Sequence, residues 1–155
     1  MISMENFTRP MMNFLSSFQS LALLAVRLVL AYGFYEPAMN KLKGFGDIVI
    51  WFEHSLHLPF PWLNAVMATG VEVAGVILLT LGLFTRLISI PMSVVMMVAI
   101  ATVHWTHGFS AAHNGFEIPL YYMVMLLVLI TTGPGKFSLD ETIMKKYCSH
   151  DYQSS

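Results

Sequence analysis

Residues 64–106 read NAVMATGVEVAGVILLTLGLFTRLISIPMSVVMMVAIATVHWT, and Glu72 and Arg86 are the only acidic or basic side chains there apart from one histidine. About 20 apolar helical residues cross a hydrocarbon core about 30 Å thick. The segment divides at Arg86 into two stretches of that length, 64–84 and 86–106. It therefore predicts two membrane-spanning helices joined by a tight turn.

Two further apolar stretches, 20–42 and 117–132, bring the number of predicted spans to four. The chain of 155 residues has 11% charged residues and a mean hydropathy of +0.66, whereas about a quarter of the residues of a soluble domain are charged. We therefore predict an all-α fold, a four-helix transmembrane bundle in contact with the lipid bilayer. The predicted segments are an N-terminal arm with an interfacial helix (1–19), the membrane domain (20–135) and a tail with a short amphipathic helix (136–155). Ser138 and Glu141 have the spacing of a capping box, which predicts the start of the tail helix, and this helix is expected to end at about Tyr147.

Basic residues near the span ends predict the orientation of the bundle. The side with both termini and the turn between spans two and three holds Arg9, Arg86, Lys136, Lys145 and Lys146. The opposite side holds only Lys41 and Lys43. Because basic residues collect on the cytoplasmic side of a membrane, both termini are expected in the cytoplasm.

The composition also excludes several functions. A net charge of -1 without a basic run offers no surface for nucleic acid. Cys148 is the only cysteine, so a disulfide framework and paired redox thiols are both excluded. The segments outside the spans are too short for a soluble domain, so any chemistry takes place in the membrane or on a partner. A redox role would need a borrowed electron carrier, and a homo-oligomer stays open.

Arg27, Glu36 and Glu72 are ionisable residues that lie well inside the predicted spans, away from their ends. Ionisable groups in a bilayer are costly, face the protein interior and mark function by default. At about 1.5 Å per residue, Glu72 lies at a depth between Arg27 and Glu36, within reach of an extended arginine side chain. The predicted polar cluster inside the membrane comprises Arg27, Glu36, Asn40, Lys41, Glu72, His104 and Glu117.

Two interpretations of this cluster stay open. An ion pair between Arg27 and Glu72 would only stabilise helix packing. Glu36 has no obvious cation at its level apart from Lys41, and a carboxyl group without a firm partner could carry a proton, as quinone chemistry requires. One helix face, with spacing i, i+4, i+8 and i+11, carries Tyr32, Glu36, Asn40 and Lys43.

The histidines suggest a second kind of site. Five of the six are predicted on the extracytoplasmic side: His54, His57, His104, His107 and His113. His104 and His107 have the spacing i, i+3 and are expected to share one helix face. Imidazole is a suitable ligand for copper and zinc, and thioether sulfur from the twelve methionines suits Cu(I). The alternative is that these rings bond water or headgroups and that the methionines fill the core.

Several short motifs occur in a familiar order along the chain. They are Arg27-Leu28, Lys41-Leu42, Glu72-x-x-Gly75, Leu81-Gly82-Leu83-Phe84-Thr85-Arg86, His104, Gly133-Pro134-Gly135 and Ser138-Leu139-Asp140. With these motifs, residues 20–141 resemble the DoxX family of small four-helix bacterial membrane proteins. The resemblance implies a location in the bacterial inner membrane and assigns no catalytic residue.

The resemblance also implies a choice of partners. Members of the family serve as small membrane subunits of oxidoreductases, including thiosulfate:quinone oxidoreductase, and others accompany oxidative-stress enzymes. One branch accompanies the maturation of copper-binding modified peptides, and Thr102-Val103-His104-Trp105 is most similar to that branch.

Three functions are therefore expected as alternatives. The first is an accessory subunit or partner of a quinone-linked oxidoreductase, with Glu36, Glu72 and His104 near the quinone and the aromatic loop at Trp51 as its lateral opening. The second is a protein of metal handling or peptide maturation that binds copper or zinc. The third is a membrane anchor without chemistry of its own.

Overall fold

The computed structural model describes residues 5–151, with side chains from residue 18 to residue 146. All regular structure in that part is helical: α1 (Glu5–Lys43), α2 (Phe45–His54), α3 (Pro61–Leu81), α4 (Thr85–Ala99), α5 (Glu117–Thr132) and α6 (Leu139–Asp151). A π-helical turn (Ile100–His104) and a 3-10 turn (Trp105–His107) continue α4, and a second 3-10 turn (Ala111–His113) precedes α5.

Among the described residues, three helical segments are long and apolar enough to cross a membrane: Phe18–Lys43, Pro61–Leu81 and Thr85–His107. The fourth, α5, is apolar but shorter, with 16 residues. These segments confirm the predicted all-α membrane bundle. Its outer surface is rich in large apolar side chains such as Leu87 and Met97, which are 66% and 60% exposed. Lipid tails are as apolar as leucine, so this surface suits a bilayer.

The bundle consists of two closely packed helix pairs, α1 with α3 and α4 with α5. The hairpin predicted from residues 64–106 joins these pairs through α3 and α4. The core of the whole bundle includes Leu30, Leu79, Met92, Leu126 and Leu129, all of which are completely buried. Such large apolar side chains interdigitate at the density of organic crystals, which fixes the relative positions of the helices.

The turn between α3 and α4 contains two residues in the left-handed backbone region. Gly82 has a φ of +68° and Phe84 a φ of +48°, and α4 begins at Thr85. A Cβ atom on Gly82 would collide with the guanidinium group of Arg27 and with Ser138. Glycine is therefore required at residue 82 by its backbone angle and by its neighbours.

Both ends of the chain differ from the predicted segments. Helix α1 is continuous from Glu5 to Lys43, without the expected boundary at residue 19, because residues 11–32 contain neither proline nor glycine. Helix α6 extends to Asp151, beyond Tyr147, where the sequence predicted its end. Its start is as predicted, since the backbone N–H of Glu141 donates to the Ser138 hydroxyl at 3.2 Å. Residues 152–155 lie outside the described part.

Candidate functional site

Glu72 is buried near the middle of α3 and pairs with Lys41 of α1. The Lys41 ammonium donates to Glu72 Oε1 at 2.5 Å, and Glu72 is only 2% exposed. Glu72 follows Pro61 by eleven residues and precedes Leu81 by nine, which places it about 16 Å and about 14 Å from the two ends of the helix. Its second oxygen, Oε2, has no hydrogen-bond partner among the described residues. The site therefore holds an ion pair between a buried carboxylate and a partly buried lysine, whose side chain is 18% exposed, with an unused acceptor on the carboxylate.

The predicted pairing of Arg27 with Glu72 is wrong. Arg27 is buried at the opposite end of the bundle, where its Nη2 donates to the backbone oxygen of Phe137 at 2.7 Å. The helices α1 and α3 run antiparallel, so Arg27 lies beside Gly82, ten residues and about 15 Å along α3 from Glu72. Estimating depth from the start of the apolar stretch could not reveal this register.

The same end of the bundle contains a helix cap that the sequence analysis missed. The Asp140 carboxylate accepts hydrogen bonds from the backbone N–H groups of Phe84 at 2.8 Å and Thr85 at 3.1 Å. It thereby satisfies free donors at the start of α4 and complements the helix dipole there. We call Arg27, Gly82, Ser138 and Asp140 the end lock. The only signal in the sequence was the Ser138–Asp140 motif, which does not show that Asp140 caps a different helix.

A cavity of about 850 Å³ lies at the other end of the bundle. It is lined by residues of α1 to α5 and by the loop before α3, and its wall is predominantly apolar. Its polar lining residues include Lys41, Asn64, Glu72, Thr102, His104 and Tyr122. Clefts of about 300–1,000 Å³ with apolar walls and a few polar groups are typical of small-molecule sites.

Prolines mark this cavity in the sequence, although the sequence analysis did not use them. Pro37 of α1, Pro91 of α4 and Pro119 of α5 all line the cavity. Pro37 and Pro91 lie inside their helices, where a proline removes a backbone hydrogen bond, and neighbouring helices in a membrane protein tolerate this. Pro119 lies in the first turn of α5, where its missing N–H costs no hydrogen bond within the helix. The two interior prolines were thus a signal for a cavity between their spans.

His104 lies at the cavity because the helix changes its geometry there. The π-helical turn Ile100–His104 ends at this residue, and its Nδ1 lies 2.7 Å from the backbone oxygen of Asn114. Because a carbonyl oxygen can only accept, Nδ1 carries the hydrogen in this contact. In the neutral ring, Nε2 is then a free acceptor. His104 thus joins Lys41 and Glu72 in the wall of one cavity.

Glu36 and Asn40 do not belong to the cavity. Both are exposed on α1, as are Tyr32 and Lys43. The prediction that these four residues share one face is confirmed, but the prediction that ionisable residues in the spans face the interior is wrong for Glu36. At 100° per residue the buried Phe34 lies on the opposite side of the helix.

Glu117, the remaining member of the predicted cluster, holds the loop before α5. Its Oε2 accepts from the backbone N–H of Ala111 at 2.9 Å, and its Oε1 accepts from the Tyr121 hydroxyl at 3.1 Å. Both acceptors are therefore engaged within the loop and the first turn of α5. Glu117 positions the cavity wall without lining it.

The five candidate metal ligands are not brought together. Within residues 18–146, no three His, Cys, Asp or Glu side chains form a group that could hold a metal ion. The Nδ1 atoms of His54, His104 and His107 each lie within 3.1 Å of a backbone oxygen, while His57 and His113 are exposed. The i, i+3 argument for His104 and His107 assumed an α-helix, but a π turn meets a 3-10 turn between them.

Comparison with known proteins agrees with this architecture. The family model described as DoxX matches residues 22–105. Two uncharacterized proteins of Haemophilus influenzae (strain ATCC 51907 / DSM 11121 / KW20 / Rd) are similar to the chain. One is 36% identical over 133 residues, covering 81% of this chain and 85% of the relative. The other is 30% identical over 138 residues, covering 87% and 100%.

The inner membrane protein YphA of Escherichia coli (strain K12) is 32% identical over 127 residues, covering 76% of this chain and 87% of the relative. No solved structure matches the chain. Fold, cavity and apolar outer surface define a multi-pass α-helical membrane protein. Within that class, the chain belongs to the DoxX family.

Proposed function

We propose that this protein is a small membrane subunit or partner of a quinone-linked oxidoreductase, and that its cavity holds the quinone headgroup. The observation that carries the proposal is the buried Lys41–Glu72 pair, which is set in the wall of an otherwise apolar cavity of about 850 Å³. An apolar cavity at membrane depth suits a ligand that is dissolved in the bilayer, and its few polar groups suit a ring with oxygen substituents.

The polar groups match what such a ring requires. An ammonium group has three donors, and the described contacts of Lys41 use one, so Lys41 can also donate to a carbonyl oxygen of a quinone. The unpartnered Oε2 of Glu72 can accept from a hydroxyl group of the quinol. Nε2 of His104 offers a second acceptor. A buried acceptor without a partner is costly, so a ligand that donates to it gains free energy.

Quinone reduction takes up two electrons and two protons for each quinol formed. The electrons would come from the partner enzyme, because the chain has no paired thiols. Its own residues would orient the ring. Glu72 would pass one of the two protons to the ring from Oε2 and take a proton back from water, and the second proton would come from water directly. The Lys41 ammonium would balance the negative charge of Glu72 whenever its carboxyl group is ionised.

Binding of decylubiquinone to the purified protein in lipid nanodiscs tests this function. Trp51 lines the cavity, so its fluorescence should be quenched as the site fills. Hydrogen bonds to charged groups contribute about 1.5–3 kcal/mol, so Glu72→Gln should weaken binding at least about tenfold, or about 1.4 kcal/mol. Glu36→Gln is the matched control, because Glu36 faces away from the bundle.

No saturable binding by the parent protein would contradict the proposal and favour a membrane anchor. Equal affinities of Glu72→Gln and Glu36→Gln for decylubiquinone would show that Glu72 does not contribute to quinone binding. In membranes of a strain that lacks this chain, part of a quinone reductase activity should be lost. The parent protein should restore that activity, and Glu72→Gln should not.

We also propose that both termini face the cytoplasm, which would place the cavity in the outer half of the membrane. The support is the excess of basic residues at the end of the bundle that contains the end lock, where Arg86 and Lys136 lie close in sequence to its members. A C-terminal green fluorescent protein fusion should fluoresce in this orientation. A dark fusion, with an active C-terminal alkaline phosphatase fusion, would reverse it.

A further inference from the structure

Four polar side chains form a stripe on the outward face of α1. Tyr32, Glu36, Asn40 and Lys43 are all exposed, and Tyr32 is 84% exposed. Within the described residues, the side chains of Tyr32, Glu36 and Asn40 have neither a hydrogen-bond partner nor an ion pair. The stripe points away from the cavity and from the packed face of α1, which buries Phe34.

The stripe lies at membrane depth. Glu36 precedes Lys43, the last residue of α1, by seven residues, or about 10 Å along the helix. Side chains on a helix lean toward its N-terminus. The carboxyl group of Glu36 therefore leans away from the nearer membrane surface, and it cannot reach water as a lysine or arginine near a helix end does.

An ionisable side chain at this depth is rarely exposed to lipid. Such residues face other protein groups or a water-filled space, because hydrocarbon offers them no hydrogen bonds. Within its own bundle, Glu36 faces neither other protein groups nor a water-filled space. We propose that the stripe is an interface between two copies of this chain, which pack through parallel α1 helices.

The chemistry of the stripe favours a second copy as the occupant. A phenol, an amide and a neutral carboxyl group can each donate and accept a hydrogen bond. In a dimer with a two-fold axis along the membrane normal, a residue of α1 meets its own counterpart near the axis. Tyr32, Glu36 and Asn40 would then each find a partner in the identical residue. Lys43, a donor only, lies at the end of the helix, where water is available.

The spacing of exposed residues supports the same packing. Going toward the end lock, the stripe continues through Val29 and Ala25, both exposed. The steps from 25 to 29, 32 and 36 are four, three and four residues, which is the heptad spacing of two helices packed side by side. The series continues through 39 to Lys43, so Asn40 lies at the edge of this seam. The two copies share one membrane orientation, so their α1 helices are parallel.

Disulfide cross-linking in native membranes tests the interface. In a Cys148→Ser background, Val29→Cys should form a dimer of twice the chain mass of 17.4 kDa on oxidation. The matched control is Val124→Cys at the middle of α5, because the two valines are 52% and 51% exposed. Cross-linking at residue 124 equal to that at residue 29 would indicate random collision and overturn the proposal. A Val29→Cys product with any other chain, or no product, would also overturn it.

Two variants of Glu36 test the self-pairing. Glu36→Gln keeps a donor and an acceptor and should retain dimers, whereas Glu36→Leu should lower the dimer fraction about threefold or more at equal protein-to-lipid ratio. Photobleaching steps of single labelled complexes in vesicles measure that fraction without cysteines in α1. If Glu36→Leu dimerises as the parent does, self-pairing is refuted. The result is independent of quinone binding, because the stripe and the cavity share no residue.

Discussion

Removing Lys41 should destabilise the bundle far more than removing Lys41 and Glu72 together. Lys41→Met leaves the carboxylate of Glu72 without a cation at a position only 2% exposed. Breaking a buried pair in this way costs about 3–5 kcal/mol, whereas replacing both members by apolar residues of similar size is often neutral. We therefore expect Lys41→Met to lower the free energy of unfolding by about 3 kcal/mol or more, and Lys41→Met with Glu72→Leu to recover at least about 2 kcal/mol of it.

Reversible unfolding in mixed micelles with increasing SDS, followed by circular dichroism, measures these differences. The four proteins of the cycle are the parent, the two single variants and the double variant. The coupling energy is the departure of the double variant from the sum of the singles. Additive effects would refute the argument, since they would mean that Glu72 does not depend on Lys41. A matched control is Lys43→Met, two residues further along α1 at an exposed position.

Two further predictions concern the end lock. Asp140→Ala removes the acceptor for the backbone N–H groups of Phe84 and Thr85 and should cost about 1–2 kcal/mol in the same assay; an unchanged free energy of unfolding would show that water replaces the cap. Gly82→Ala should destabilise by more than about 1 kcal/mol, because its φ is +68° and a Cβ would strike Arg27. Gly70→Ala is its control, since no atom lies within 4 Å of the new Cβ and the helix should gain about 0.5–1 kcal/mol.

The motifs that carry the family resemblance divide between the two ends of the bundle. Arg27, Gly82, Ser138 and Asp140 meet in the end lock. Lys41, Glu72 and His104 line the cavity at the other end. The first group connects α1, the α3–α4 turn and the start of α6 through hydrogen bonds and close packing. This division separates residues whose replacement should affect stability from residues whose replacement should also affect ligand binding.

Local pattern was sufficient to predict the four membrane helices, but it missed α2, a helix of ten residues where the sequence analysis predicted an aromatic loop at Trp51. Runs of about 20 apolar residues, with so few charges, can satisfy their backbone groups in a membrane only as helices or closed barrels. The capping spacing at Ser138 was equally local, and the structure confirms that Glu141 N–H donates to Ser138. The shared face of Tyr32, Glu36, Asn40 and Lys43 followed from helical periodicity alone.

Partners across the bundle were beyond the reach of local pattern. Glu72 pairs with Lys41 because the antiparallel register of α1 and α3 sets the two side by side, while Arg27 falls opposite Gly82. Whether Glu36 faces the interior or the outside of the bundle likewise depended on which side of α1 packs against α3. A helix can rotate about its axis or slide by one turn without any change in its own periodicity.

By itself, the amino-acid sequence determined that the chain crosses a membrane as helices, where those helices lie, and which residues recur on one face of each. These properties depend on free energies that add along the chain: transfer of side chains into hydrocarbon and hydrogen bonding within each helix. Only the tertiary structure decided the rotation and register of the helices, and with them the Lys41–Glu72 pair, the cap by Asp140 and the separation of the histidines. These depend on how side chains of different helices fill space together, which no single segment specifies.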